Sequence, residues 1–318
     1  MIKPQILISG YPSLDRIIRV KSHARPGHTA IVTNADNAAV YYGGCSVNIA
    51  CALAKLGVGA GPVVRVGRDY ESSGFKAFLE GAGVYAGAVT RTDGDATSNC
   101  YLILDGDNDH VTVFYPGATD EKYFAPLSGD IFDGVRLGVI TVGGYKDNLH
   151  FYNECRARTI PVVFGMKCDS DAFPSDFLWE LLTNSEVVFT NDCERGFIQK
   201  KFGLKDISDL SERGRAKIIV TTFGKNGSRY FWRRGDRTER GDVCVVPPRN
   251  VADTTGSGDA YIAGFLYGYL GGKGAEECCR YGSTLASFVI ESTGALTNIP
   301  DVQALENRLR KCFGGAGE

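Results

Sequence analysis

The sequence has no long hydrophobic run and almost no net charge, and these two absences exclude several classes of protein. Its 318 residues carry a formal charge of −2, so the chain offers no basic surface of the kind that binds a nucleic-acid backbone. No stretch reaches the roughly 18 apolar residues that cross a bilayer. The first apolar run is interrupted by Gly10 and Pro12, so it is too short for a signal peptide. We therefore expect a cytoplasmic protein that binds neither nucleic acid nor membrane.

The sequence also lacks the spacings that hold a structural zinc ion. It has no CxxC pair, and its four histidines are scattered along the chain. The ten cysteines are spread out as well, and most of them lie in apolar patterns such as those around Cys51 and Cys244. We interpret them as reduced core residues and not as a disulfide framework.

What the sequence does contain is the composition of an ordinary globular protein, with 43% hydrophobic and 23% charged residues. Short apolar runs recur, and segments of helical periodicity separate several of them. This alternation predicts one α/β domain over residues 1–318, a three-layer α/β/α sandwich around a mostly parallel sheet. The runs are QILIS at 5–9, VVRV at 63–66, LGVIT at 137–141, PVVF at 161–164, EVVF at 186–189 and KIIVT at 217–221.

Two stretches break the alternation, and both are typical of antiparallel ribbons. The first pairs RIIRV with HTAIVT, and the second pairs SNCYLIL with VTVFY. We expect them to form a small β-sheet lid, in segments at about 16–42 and 97–116, because open parallel sheets bind ligands at their carboxyl edge. A ribbon leaves unpaired edges, so a homodimer through this lid is a further expectation.

The segment DTTGSGDAYIAGFL, which starts at Asp253, follows a strand-like run and leads into a helix. Its apolar residues recur at the spacing of one buried helix face. Gly256, Ser257 and Gly258 therefore lie at a helix N-terminus, where unpaired N–H groups and the helix dipole bind anions. The glycines let the backbone approach a phosphate closely. Neither GxxxxGK[ST] nor GxGxxG is present.

Asp259 follows this turn directly, and its carboxylate would repel a phosphate unless it had a task there. One interpretation makes it a general base that takes the proton of an attacking hydroxyl group. The other makes it a helix cap, since acidic residues are common in first turns. The spacing by itself leaves both interpretations open.

With these motifs in view, the sequence resembles the ribokinase-like (PfkB) family of carbohydrate and nucleoside kinases. DTTGSGDAYIAGFL is similar to the family's C-terminal signature and YYGGCSVNIACALAKLG to its N-terminal one. The NxxE element at 191–194, TTFGKNGS and ESTGALTNIP follow in the family's order. The resemblance implies a phosphotransferase that uses ATP and Mg²⁺ to phosphorylate a hydroxymethyl group, with Asp259 as catalytic base.

The resemblance also implies a role for residues outside the signature turn. Asp15, Gly43, Gly44 and Asn48 would hold the hydroxyls of a small-molecule acceptor. The remaining assignments are Asn191, Thr222, Gly224, Gly227 and Asn298 near the nucleotide, Glu194 near Mg²⁺ through water, and Asp253 with Thr255 at a monovalent cation such as K⁺. Simpler alternatives stay open for some of these, since Asn191 could cap a helix and the glycines could form plain turns.

Among subgroups of the family, the chain is most similar to archaeal-type nucleoside and adenosine kinases. The segment GGCSVN departs from the GGKGAN typical of ribokinases, which disfavours ribose as acceptor. Phe114 at the end of the second ribbon could stack on a base, or could simply pack against neighbouring strands. A sugar kinase, a non-catalytic nucleotide or sugar sensor and, more remotely, a nicotinamide-dependent dehydrogenase are the competing hypotheses.

Overall fold

A computed structural model describes residues 3–105 and 110–314 of the chain. The strands form two sheets, one of nine strands and one of four. The large sheet contains β1 (Ile6–Ser9), β4 (Ala60–Val66), β5 (Val89–Arg91), β8 (Leu137–Ile140), β9 (Val162–Gly165), β10 (Val187–Asn191), β11 (Ile218–Thr222), β12 (Ser228–Arg234) and β13 (Arg237–Val243). The small sheet contains β2 (Ser13–Arg19), β3 (Tyr41–Gly43), β6 (Asn99–Leu104) and β7 (His110–Tyr115).

The large sheet runs in the order β13-β12-β11-β10-β9-β8-β1-β4-β5. Its strands are parallel except for β12 and β13, which pair antiparallel at one edge. All six apolar runs that we predicted as strands lie in it, and the predicted mostly parallel sheet is confirmed. The strand order reverses between β1 and β8, since β4 and β5 follow on one side of β1 and the later strands on the other. Ligands of open α/β sheets bind at the carboxyl ends of the strands beside such a point.

Helices cover both faces of this sheet, which confirms the three-layer architecture. Successive strand residues point to opposite faces, so Ile6 and Ile8 pack into one core and Leu7 into the other. No helix within 3–105 and 110–314 is long and apolar enough to cross a membrane. The helices are α1 (Cys45–Lys55), α2 (Phe75–Gly81), α3 (Tyr145–Ala157), α4 (Ser175–Asn184), α5 (Asp192–Phe202), α6 (Asp209–Arg213), α7 (Ser257–Leu270), α8 (Ala275–Val289) and α9 (Val302–Phe313).

Helix α7, which follows the glycine-rich turn, is more buried than its sequence pattern predicts. Ile262, Phe265 and Leu266 are buried as expected, but the opposite side of the helix is buried too. Gly264 explains this, because a Cβ there would lie 2.5 Å from the carbonyl oxygen of Tyr281 in α8. The close approach of two helices at a glycine encloses α7 between α8 and the rest of the core.

The small sheet has the order β3-β2-β6-β7 and confirms the expected lid as an element of the fold. The second predicted ribbon is present as the antiparallel pair β6–β7, whose turn residues 106–109 lie outside the described residues. The first ribbon is largely wrong. The HTAIVT segment contributes only an isolated bridge between Val20 and Val32, and β2 pairs instead with β3, beginning with Ser13 opposite Gly43. That partner is more distant in sequence, and a hairpin pattern does not reveal it.

The cysteines are free thiols throughout, as expected, but they are not all in the core. Cys51, Cys155, Cys278 and Cys279 are buried, whereas Cys244 is exposed and its prediction as a core residue is wrong. The chain is extended there, so alternate side chains point in opposite directions. Its neighbour Val243 takes the buried position.

Candidate active site

The glycine-rich turn forms the uncapped N-terminus of α7. Gly256 occupies the N-cap position with φ +75°, and no side chain caps this helix end. The N–H of Ser257 donates to the carbonyl of Thr254 at 3.2 Å, which closes the turn. The N–H groups of a helix's first turn have no acceptor inside the helix, so the Gly258 N–H remains for an anion. Of the three residues that we predicted at this anion site, Gly256, Ser257 and Gly258, the N–H of Ser257 already has an acceptor within the turn.

Asp259 lies in the first turn of α7, and its side chain is 9% exposed. Its Oδ2 accepts a hydrogen bond of 2.8 Å from Nδ2 of Asn48 in α1. Within the described residues no side chain forms the N-cap hydrogen bond of α7, so the geometry does not support the helix-cap interpretation of Asp259. The carboxylate is instead held toward residues that we predicted at the acceptor.

Three of those acceptor residues form one compact group. A Cβ on Gly43 would lie 2.9 Å from Oδ2 of Asp15 and 3.4 Å from Oδ1 of Asn48. Glycine at this position therefore leaves a small space that faces both polar side chains. The buried Oδ1 of Asn48 has no hydrogen-bond partner within the described part of the chain. A buried oxygen without a donor suits the hydroxyl of a ligand.

The electrostatics of Asp15 also fit a site for hydroxyl groups. Its pKa is raised to about 6, mainly by burial and in part by the negative charge of Asp259, and a hydrogen bond from the Ser13 hydroxyl opposes both effects. Asp15 therefore gains its charge close to neutral pH. In its ionised form this carboxylate can accept two hydroxyl hydrogen bonds.

Gly44 connects this group to an aromatic pair. Its φ is +97°, and a Cβ there would lie 2.1 Å from the carbonyl oxygen of Tyr11, so only glycine fits. The Tyr11 ring lies 5.0 Å from the ring of Phe114 in β7. Phe114 is 39% exposed, so the pair forms a partly open wall beside the acceptor residues. The packing alternative for Phe114 is thus present in the structure, with Tyr11 as its partner.

Two clefts meet at Asp259, and we name them by their walls. The sheet-side cleft lies at the carboxyl ends of the strands, and the lid-side cleft lies between the small sheet and the turn before α7. The lid-side cleft encloses about 1320 Å³, including space that is open to solvent. Gly258, Asp259 and Lys167 line both clefts. Asp259 therefore faces open space on two sides, as a base for an external substrate must.

The NxxE element lies at the sheet-side cleft and forms a capping box. Asn191 Oδ1 accepts the backbone N–H of Glu194 at 2.9 Å, and Glu194 Oε2 accepts that of Asn191 at 2.8 Å. The capping interpretation of Asn191 is confirmed by these two bonds. Burial raises the pKa of Glu194, although the Asn191 N–H and the Lys167 ammonium oppose this. Glu194 still lines the cleft.

The other residues predicted near the nucleotide are distributed around this region. Thr222 ends β11 and lines the sheet-side cleft. Gly224 and Gly227 flank the following turn with φ values of +54° and +84°. Gly227 is required there, because a Cβ would lie 2.2 Å from the carbonyl oxygen of Val243. Asn298 lines neither cleft, and its side chain donates to the carbonyl of Phe288 at 2.7 Å.

Asp253 and Thr255 lie in the loop that leads into the glycine-rich turn. Asp253 accepts the N–H of Thr255 and that of Gly294, each at 2.9 Å. Burial by itself would raise the pKa of Asp253, but these two donors outweigh it and lower the pKa. The carboxylate thus ties the turn to the segment around Gly294. Within 3–105 and 110–314, no cluster of three or more His, Cys, Asp or Glu residues is arranged to hold a metal ion.

Lys167 and Cys45 line the clefts but belong to no motif that we identified, and Tyr11, beside Gly44, does not either. Tyr11 follows β1, Lys167 follows β9, and Cys45 begins α1. The first two come within three residues of the ends of predicted buried strands, so the rule that such strands end at one common edge could have identified them. Cys45 lines the sheet-side cleft beside Asp259, and no signal in the sequence distinguishes it from the other cysteines.

The chain is similar to known proteins over nearly its whole length. Residues 4–302 match the model of the family described as pfkB family carbohydrate kinase. A nucleoside kinase of Methanothermobacter thermautotrophicus is 28% identical over 97% of this chain and 96% of its own length. The crystal structure of Methanocaldococcus jannaschii nucleoside kinase superimposes with a TM-score of 0.85, at 27% identity over 97% of this chain and 99% of that one.

A more distant solved structure shares the fold. Arabidopsis thaliana ribokinase, solved in complex with ribose and ATP, has a TM-score of 0.81 at 22% identity and covers 97% of this chain and 99% of its own. The similarity thus extends over nearly the whole of each protein.

Proposed function

The chain belongs to the pfkB family of carbohydrate kinases, and from this premise we propose that it transfers the γ-phosphate of ATP to the hydroxymethyl group of a nucleoside. The acceptor that we favour is adenosine-like. The observation that carries the proposal is the hydrogen bond of 2.8 Å between Asn48 and Asp259. It joins Asn48, the acceptor residue in α1, to a carboxylate at the anion-binding turn of α7, so that both reacting groups can meet beside Asp259.

The chain's own residues supply the chemistry of transfer. Asp259 takes the proton of the acceptor hydroxyl as that oxygen attacks the γ-phosphorus, and the bond to the β-phosphate oxygen breaks to release ADP. Asn48 fixes one carboxylate oxygen of Asp259. The N–H groups at the α7 N-terminus, including that of Gly258, stabilise the negative charge of the transferring group. The lid of β2, β3, β6 and β7 excludes water that would otherwise be phosphorylated.

Two cations belong to the proposal. Glu194 offers one carboxylate at the sheet-side cleft, which suits Mg²⁺ because this ion keeps several waters and binds phosphates as well. Mg²⁺ would neutralise phosphate charge there. The loop of Asp253 and Thr255 offers carboxylate and hydroxyl oxygens for K⁺, although each Asp253 oxygen already accepts an N–H. The steps above do not depend on K⁺.

The aromatic pair of Tyr11 and Phe114 supports a nucleoside over a simple sugar. The backbone carbonyl of Tyr11 lies against Gly44, and the Phe114 ring that packs on Tyr11 is 39% exposed. An aromatic face binds a planar base by stacking, and a sugar alone offers no such surface. The similarity to two archaeal nucleoside kinases points in the same direction.

An acceptor panel tests this proposal directly. The protein is incubated with ATP and Mg²⁺ together with nucleosides, ribose, fructose or ketodeoxygluconate, and the products are identified by mass spectrometry. We expect phosphorylated nucleosides. Transfer only to sugars would reject the nucleoside acceptor and leave the family assignment intact. Nucleotide or nucleoside binding without any transfer would support a sensor.

The acceptor site should lose affinity in acid, because Asp15 has a pKa of about 6 in the free protein. Only the ionised carboxylate accepts two hydroxyl hydrogen bonds, so kcat/KM for the acceptor should fall as pH drops through 6. The KM for ATP should not follow this curve. Steady-state kinetics between pH 5 and 8 measure both parameters. The Asp15→Asn variant should have a lower kcat/KM for the acceptor, and this kcat/KM should not fall near pH 6. An identical fall of kcat/KM near pH 6 in that variant would contradict the role of Asp15.

We also propose that the lid forms a homodimer interface. Strand β7 is an edge of the small sheet, and Val111, Val113 and Tyr115 on one of its faces are 45–52% exposed. An unpaired, apolar edge pairs readily with a second copy. We expect the protein to be a dimer by light scattering at micromolar concentration and Val113→Lys to be a monomer. The control Val245→Lys, at an exposed valine outside the lid, should remain a dimer. A monomeric parent protein would refute the interface.

A further inference from the structure

Lys167 occupies the position where the two clefts meet, yet none of the roles assigned so far uses it. It follows β9 at the carboxyl edge of the sheet and lines both the sheet-side and the lid-side cleft. Among residues 3–105 and 110–314, only Gly258 and Asp259 share this property within these two clefts. Lys167 therefore faces the anion-binding turn and the catalytic carboxylate at once.

Lys167 supplies a positive charge beside two acidic side chains that would by themselves repel an anion. Asp259 and Glu194 flank it, and the Cys45 thiol lies on the same wall. Burial raises the pKa of that thiol well above its usual value, so Cys45 stays neutral at pH 7. Cys45 would raise the pKa of Lys167 only as a thiolate, whereas at pH 7 the charges of Asp259 and Glu194 act to raise it and burial opposes them. The ammonium thus stays charged beside two carboxylates.

Arg19 is the second cation at the lid-side cleft, and its surroundings differ. It lies on the lid strand β2 and does not line the sheet-side cleft. Its charge acts on Asp253, whose pKa it helps to lower. Arg19 is therefore placed to interact with the loop before the turn, and Lys167 is the cation placed at the reaction centre.

We propose that Lys167 is a further catalytic residue, which binds the transferring phosphoryl group opposite the Gly258 N–H. Its ammonium donates hydrogen bonds to the phosphoryl oxygens and shields the incoming negative charge from Asp259 and Glu194. Lys167 keeps its protons throughout, and no covalent bond to it forms. This inference rests on the proposed phosphotransfer but not on the identity of the acceptor.

The test compares Lys167→Met with Lys167→Arg and the parent protein. Removal of one preorganised donor to a transition-state charge should lower kcat roughly 10²-fold, whereas Lys167→Arg should recover part of that loss. The Kd for ADP should change less than about threefold, because the lost contact concerns the transferred group. Lys217→Met is the matched control. Lys217 directly precedes β11, at the amino end of that strand, and pairs with Glu186 at 3.3 Å.

A second measurement separates catalysis from folding. Aluminium fluoride with ADP, Mg²⁺ and the acceptor imitates the transferring phosphoryl group, and calorimetry measures its binding. We expect Lys167→Met to lose this binding and to retain that of ADP. Unchanged kcat, or unchanged binding of aluminium fluoride, would overturn the inference. The acceptor is whichever alcohol the panel identifies, so a sugar product would reject the nucleoside proposal without affecting this comparison.

Discussion

Replacing Asp259 by asparagine should lower kcat by about 10³-fold or more while the affinity for ATP changes little. General bases contribute roughly 10² to 10⁴ in rate, and no other carboxylate lines both clefts in the described part of the chain. The variant should fold, because asparagine is isosteric and its amide oxygen can still accept the 2.8 Å hydrogen bond from Asn48. Steady-state kinetics give kcat, and calorimetry gives the affinity for ATP.

The matched control for this variant is Asp176→Asn. Asp176 is also an acidic residue in the first turn of a helix, α4, but it is exposed and lines neither cleft. Its loss should leave kcat unchanged. If Asp259→Asn turned over at a near-normal rate, Asp259 would be a structural residue and the proposed mechanism would be wrong.

Gly256→Ala should damage both stability and activity, because the turn before α7 has no room for a methyl group. Gly256 has φ +75°, and its Cβ would lie 2.3 Å from Cβ of Ala295. The left-handed conformation costs an alanine about 1–2 kcal/mol, and the overlap adds about 1–3 kcal/mol. We expect a loss of about 2–5 kcal/mol in the free energy of unfolding, measured by urea denaturation.

The activity of Gly256→Ala should fall together with its stability, because the displaced turn carries the phosphate-binding N–H groups. A misplacement of about 1 Å can cost about 10²-fold in rate, so kcat/KM should fall at least that far. Gly258→Ala is the informative comparison. Its Cβ meets no atom within 4 Å, and alanine favours helices, so its stability should be equal or slightly higher. Equal stability of the two variants would contradict the steric account.

The buried strands of the large sheet could be predicted from the sequence because the signals for them are local. A run such as QILIS or KIIVT predicts a buried strand by itself, and both lie in the large sheet. The glycine-rich turn before a helix likewise predicts an anion site from a few adjacent residues. Our predicted pairing of β2 was wrong because its actual partner, β3, is short and distant in sequence, so no local pattern identifies it.

The sequence by itself determined the α/β class, the family and the turn that ends at Asp259. Only the tertiary structure decided what Asp259 faces, because Asn48 lies 211 positions away in the chain. The same holds for Lys167, which no motif marks and which β9 delivers to the common edge of the sheet. Local patterns encode backbone geometry within one element, whereas the packing of distant elements determines which side chains share a cleft.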